Sequence, residues 1–275
     1  MNPFLAFRIH QDDGKVVARL ETIALDALSA GEVVVKVSYS GINFKDALAA
    51  TGAGKILRKY PLVGGIDLAG TVVASTDASV AVGQKVLVNG CGLSETHDGG
   101  YAEYARLKPE WVIPIPSGLD EYQCMALGTA GFTAALAIHR MEHNGQRPDG
   151  GEIVVTGASG GVGSLAIDKV GGEVLTWLTR TTNFWGNIAS IGMANSVELK
   201  STVLPFILRG VSLLGINSVS TPRDLRLQVW QRLASDLKPR HLDEIVTRII
   251  GLDQLPAAFV EYLKGSVVGR TVVRI

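Results

Sequence analysis

The run Val154-Val155-Thr156-Gly157-Ala158-Ser159-Gly160-Gly161-Val162-Gly163-Ser164 passes from a β-branched strand through a glycine-rich turn into a helix start. Such a turn aims free backbone N–H groups and the positive end of a helix dipole at a phosphate. Its spacing is G-x-x-G-G-V-G rather than G-x-G-x-x-G, so the flanking strand and helix, not the glycines alone, support phosphate binding. Asn43 and Asp46 are polar groups set where a strand ends and a turn begins, and local bonds to backbone N–H groups account for them as turn chemistry. Lys55, Arg58 and Lys59 cluster in a loop, where they are either solvated or placed to meet a phosphorylated substrate. His139 and His143 are one helical turn apart, but zinc needs further ligands that no Cys or carboxylate spacing provides. Two glycines in Gly128-Thr129-Ala130-Gly131-Phe132-Thr133-Ala134 are costly in a helix. They suit either close helix packing or the approach of a flat ligand.

These groups must be held by two kinds of element. In the first third, short β-branched runs separated by glycine, at residues 32–38, 70–74 and 83–88, read as strands of a compact β-barrel. Pro114 and Pro116 precede a helix expected from Glu121 to Met141. From Glu152 the pattern becomes buried strand plus helix, with parallel strands expected at residues 187–192 and 211–216. Thr221 reads as the cap of a helix reaching Leu237, with Pro222 in its first turn and Asp224 completing the box. Leu225, Val229, Leu233 and Leu237 then give it one apolar face. Residues 269–275 form a strand that returns to the barrel.

The bulk composition narrows the class. The 26 basic and 26 acidic residues of the 275-residue chain cancel, which leaves no basic excess for nucleic acid or an anionic membrane. Cys91 and Cys124 are the only cysteines, so a disulfide framework or four-cysteine zinc lobe is excluded. The most apolar window, residues 204–216, is broken by Arg209 and too short to span a bilayer. A soluble, cytoplasmic α/β protein is expected.

Several segments together resemble the zinc-free quinone-oxidoreductase branch of the medium-chain dehydrogenases/reductases. They are Asn43-Phe44-Lys45-Asp46-Ala47-Leu48, Gly65-Ile66-Asp67-Leu68-Ala69-Gly70, residues 128–134 and residues 155–163. Residues 202–209 and 228–233 are most similar to bacterial NADPH-dependent acryloyl-CoA reductases. The resemblance implies a GroES-like barrel from residues 1–120 and 241–275, and a Rossmann-type domain from residues 121–240. It further implies NADPH as hydride donor, an enoyl-CoA substrate reduced from acryloyl-CoA to propionyl-CoA, no metal, and a homodimer with residues 211–216 as one candidate seam. By position, Val162, Gly163, Ser164 and Leu165 would hold the pyrophosphate, with Ser159, Gly160 and Gly161 also binding the cofactor. Ala47, Met193, Ile207, Ser218 and Gly265 would contact the cofactor elsewhere. Asn43 and Asp46 would be the catalytic pair, Asn43 donating a hydrogen bond to the thioester oxygen and Asp46 orienting a neighbour. Phe44 stands where family members commonly carry Tyr, so no phenol acts there.

The chain departs from that family after Leu165, where Ser164-Leu165-Ala166-Ile167 meets Asp168-Lys169-Val170-Gly171-Gly172 directly. On the order of 50 residues, about two βα units, are absent, and with them the groups that would read a 2′-phosphate. Either the protein contains residues beyond these 275, or the deletion is real. The exposed sheet edges of a true deletion favour the first. The leading expectation is an acryloyl-CoA reductase. The alternatives are a quinone or enone reductase and, for a true deletion, a catalytically silent nucleotide-binding or structural protein.

Overall fold

A computed structural model describes residues 2–149, 154, 172–192 and 196–275. The glycine turn at 155–165 and Met193 lie outside the described residues. The chain divides into two compact units, one of residues 1–129 with 219–275 and one of residues 130–218.

The first unit is built on strands whose valines and isoleucines alternate with polar residues. Strands β1 (Phe4–Asp12), β2 (Lys15–Ile23), β3 (Val33–Gly41), β4 (Leu62–Val63), β5 (Asp67–Ser75), β6 (Lys85–Asn89), β7 (Tyr104–Leu107) and β8 (Ile113–Pro114) precede the long helix, and helix α1 (Phe44–Thr51) follows β3. In the small sheet β1 lies between β2 and β4. The larger sheet has the order β11-β12-β3-β5-β6-β8, with β7 also on β3; β11 is Val246–Ile250 and β12 Arg270–Arg274. Strand β12 runs antiparallel to the end of β3, with Val272 opposite Gly41. The C-terminal strand therefore does return to the barrel, as the sequence led us to expect. That register extrapolates Arg270 to a position opposite Asn43. On the other edge of β3, Tyr39 faces Ala69 of β5, so Asp67 begins β5 beside the end of β3. One core, with Phe7, Ile42, Ala47, Leu62, Tyr101, Leu255 and Phe259, lies under α1 and α7 (Leu255–Leu263); another, with Val35, Leu68, Val86 and Leu107, lies under the larger sheet.

Helix α2 (Glu121–His143) breaks at Gly128, whose φ of 53° and ψ of −156° are non-helical. The chain passes from one unit to the other just beyond that break. The second unit contains α3 (Gly172–Thr181), β9 (Asn187–Ser190), α4 (Leu204–Arg209) and β10 (Ser212–Gly215). As expected, β9 and β10 pair in parallel.

One expectation is corrected. Helix α5 is Arg223–Leu233, it has Pro222 rather than Thr221 at its N-cap without a side-chain cap bond, and it stops short of Leu237. Its buried face is Arg226, Val229, Trp230 and Leu233, one position round from the leucine stripe. The helix falls in the first unit, which the chain re-enters at residue 219. The reason is a set of bonds to the barrel: Arg226 Nη1 donates to Asn89 O at 2.8 Å and Trp230 Nε1 to Asn89 Oδ1 at 3.1 Å. A short helix α6 (Leu242–Ile245) leads into β11. Among the described residues, no helix is long and apolar enough to cross a membrane.

Candidate active site

Helix α1 starts at Asn43 because the Asp46 carboxylate reaches back to the Asn43 backbone N–H, with Oδ2 accepting at 2.8 Å. This is the return half of a capping box. Asp46 Oδ1 also accepts the Ile66 N–H at 2.9 Å, tying the helix to the loop before β5. The Asn43 side chain faces inward. Its Nδ2 donates to Asp67 Oδ2 at 2.8 Å and to Asp46 Oδ2 at 3.3 Å, while its Oδ1 accepts from Arg270 Nη1 at 3.2 Å.

Two carboxylates thus share one amide in a nearly dry site. Asp46 is 1% exposed, Asp67 0% and Arg270 2%. Asp67 is further held by the Thr129 backbone N–H at 2.9 Å and by the Thr129 hydroxyl. Arg270 gives Nη1 to Ile42 O at 3.0 Å and Nε to Ala126 O at 3.2 Å, and its Nη2 stands 4.0 Å from Asp67 Oδ2. The guanidinium fits because glycine flanks it: a Cβ on Gly128 would come within 2.5 Å of Nη2 and one on Gly41 within 3.0 Å. Burial, followed by the negative charge of Asp67, raises the Asp46 carboxyl to about 7 against the N–H bonds from Asn43 and Ile66. Physically, one guanidinium cannot balance two carboxylates in low dielectric, so a proton is drawn in.

Sequence reasoning named Asn43 and Asp46 but gave no role to Asp67, Thr129 or Arg270. A charge at the head of the apolar run Leu68-Ala69, and another beside Val272-Val273, were the available signals, because charges on buried strands are paired or costly. The remaining expected residues divide. Ala47 is fully buried in the core under α1. Phe44, beside Asn43, is 48% exposed, and Ile207 on α4 is 71% exposed. Gly265 is exposed at a φ of +67°, with open space where a Cβ would stand. Ser218 is half-buried. Among the described candidates, Ile207 and Gly265 therefore leave surface that a nucleotide can contact, each in its own unit. Among the described residues no cluster of His, Cys, Asp and Glu is placed to hold a metal. His139 and His143 simply stack, with ring centroids 6.5 Å apart.

Residues 29–117 match the alcohol dehydrogenase GroES-like domain. Acrylyl-CoA reductase AcuI of Ruegeria pomeroyi is 37% identical to this chain over 317 positions, covering 96% of each. The chain belongs to the quinone-oxidoreductase branch of the medium-chain dehydrogenases/reductases. Two further members of this reductase family are similar over almost their whole length. YhfP of Bacillus subtilis, which carries a provisional quinone oxidoreductase name, is 37% identical over 99% of both chains, and its structure with NAD bound aligns with a TM-score of 0.97 over 100% of each. The yhdH oxidoreductase of Salmonella enterica, solved with NADP, is 39% identical with a TM-score of 0.95 over 98% of this chain and 99% of its own. The YhfP alignment runs 326 positions against 275 residues here, so at least 326 less 275, or 51, of its positions have no counterpart in this chain. The family shortfall expected after Leu165 is thus present in size, although its place lies outside the described residues.

Proposed function

We propose that this reductase reduces the carbon–carbon double bond of acryloyl-CoA to propionyl-CoA with NADPH. The observation that carries the reading is the 37% identity to an acrylyl-CoA reductase over 96% of both chains. The bound dinucleotide supplies the hydride; this chain's residues bind, orient and stabilise charge. Residues 159–165 and Met193, with Ala47, Ile207, Ser218 and Gly265, are proposed to hold the cofactor. Hydride addition at the β-carbon puts negative charge on the thioester oxygen, and a donor aimed there lowers the barrier. Asn43 is the proposed donor. Both its amide hydrogens are engaged, but the bond to Asp46 is the longer at 3.3 Å, and the thioester oxygen takes that hydrogen while Asp67 keeps the other. Asp46 and Asp67 are then positioning residues, holding the amide rather than meeting substrate.

A second reading, a quinone reductase, is favoured by the provisional name of YhfP. Steady-state NADPH oxidation with acryloyl-CoA and with a quinone separates the two. Turnover of the thioester in preference to the quinone supports the first, and the reverse order transfers the assignment to the second. The shortfall of 51 positions favours a third, silent reading if it is real. An intact mass of 29.1 kDa with no turnover of either substrate supports that one, and absence of NADPH binding by calorimetry removes the nucleotide role as well.

A further inference from the structure

We propose that the groove at the far end of α1 is the subsite for the phosphorylated adenosine end of a coenzyme A thioester. This rests on the acyl-CoA reading above. The groove has a volume of about 580 Å³ and is lined by Lys55, Arg58, Tyr60 and Gln11 with Gly52, Val16 and their neighbours. That volume falls within the range of roughly 300–1,000 Å³ usual for small-molecule sites.

Three observations point to an anion with an aromatic base. First, the basic cluster read in the sequence divides in the structure. Lys59 Nζ turns to Ser29 Oγ at 3.3 Å and Lys45 pairs with Glu95. Lys55 and Arg58 line the groove, and among the described residues no carboxylate pairs with either. Second, no Asp or Glu lines it. Asp12, next to Gln11 in sequence, is paired with Arg19 at 2.9 Å, and Glu95, whose carbonyl accepts the Arg58 N–H, is taken by Lys45. Two cations without a carboxylate partner lining one concavity are an arrangement that phosphate oxygens satisfy. Third, the walls combine the half-buried Tyr60 ring with the Gln11 amide, one face for stacking a base and one edge for hydrogen bonds. The other large groove, about 790 Å³ by Asp26, Glu32 and Arg106, has the opposite character. Its two carboxylates outnumber one guanidinium whose Nε is already given to Gly31 O at 2.9 Å.

The location agrees with a long substrate. Helix α1 has eight residues, so about 12 Å of helix separates Asn43 at its head from Gly52, the left-handed cap that opens the groove at its tail. The pantetheine arm of coenzyme A, an extended chain with two amides, bridges that distance. The thioester then lies at the amide while the adenosine phosphates lie at Lys55 and Arg58.

The test compares the double variant Lys55→Ala/Arg58→Ala with the unaltered protein, using acryloyl-CoA and acryloyl-pantetheine. KM for the CoA thioester should rise about tenfold or more, with KM for the pantetheine thioester and kcat for both unchanged. An equal effect on the two substrates, or none, overturns the proposal. Calorimetry with adenosine 3′,5′-bisphosphate, adenosine 2′,5′-bisphosphate and inorganic phosphate needs no turnover, so it separates failure of the subsite from failure of the reductase reading. Binding of the 3′,5′ compound that the double variant loses supports the subsite even in a protein inactive on acryloyl-CoA. Absence of that binding in the unaltered protein, or preference for the 2′,5′ compound or free phosphate, overturns it whatever the activity.

Discussion

Asp46 is buried, and its two oxygens accept three hydrogen bonds, two of them from Asn43. The folded state raises its carboxyl from an ordinary value near 4 to about 7, chiefly by burial. The fold therefore binds this proton more tightly than the unfolded chain does. The resulting stabilisation is fully present below about pH 4 and is lost as pH rises through about 7, amounting to at most about 4 kcal/mol. Asp46→Asn removes the titration while also weakening a backbone acceptor, so the slope rather than the absolute stability is the readout. Urea unfolding from pH 4 to 8 should show the unaltered protein losing stability relative to the variant across that window; parallel profiles would refute the account. Arg270→Met tests the same cluster from the other side. It strands Asp67 and frees the carbonyls of Ile42 and Ala126, for an expected loss of about 3–5 kcal/mol by denaturant unfolding. Asn43 and Asp46 were legible in the sequence because a cap and its third residue are local. Arg270 was not, since it reaches Asn43 across 227 residues, and only strand register brings the two together.

At the scale of elements, glycine and amphipathic side chains decide where periodicity succeeds. The strand runs of the barrel were legible because a β-branched alternating pattern states both the strand and its buried face. Helix α2 was legible in extent but not in shape. Its break at Gly128 depends on what lies opposite, the Arg270 guanidinium and the Asp67 carboxylate at 2.5 and 2.8 Å from a would-be Cβ. Gly128→Ala should combine a strained backbone, about 1–3 kcal/mol, with displacement of that ion pair. Its thermal midpoint should fall further than that of Gly83→Ala, a positive-φ glycine with open space around it. Equal falls would show that the conformation alone matters. Helix α5 misled for a different reason. A leucine stripe ignores that Arg226 and Trp230 are buried when their polar ends find partners, which here are Asn89 O and Oδ1. Trp230→Phe, which leaves Asn89 Oδ1 without that donor, should cost about 1–3 kcal/mol, whereas Leu225→Ala on the predicted stripe should cost less. The reverse order would restore the stripe.

Across the whole molecule the two units differ in the apolar side chains that their described residues leave exposed. The first holds the two cores under α1 and under the larger sheet. In the second, Phe132, Leu136, Leu175, Ile188 and Val211 are buried, while Trp177, Phe184, Trp185 and Ile207 are 55%, 69%, 80% and 71% exposed. A shortfall of at least 51 positions, 326 less 275, if it falls after Leu165 as the sequence leads one to expect, leaves fewer layers with which to cover such side chains. Heating should therefore give two calorimetric transitions, the second unit melting first. Tryptophan emission tells them apart. Trp177 and Trp185 are already in water and report the first transition weakly, whereas Trp230, 0% exposed, shifts to the red only when the barrel opens. Limited proteolysis follows the same asymmetry. Cleavage confined to the second unit separates residues 1–129 from 219–275 in sequence but not in space, because β12 pairs with β3, Arg270 bonds Ile42 O and Asn43, and Arg226 bonds Asn89 O. The nicked fragments should co-elute on gel filtration and retain the higher transition. Separation of the fragments without denaturant would mean that the continuous chain, not the strand pairing and the buried charge cluster, holds the barrel closed.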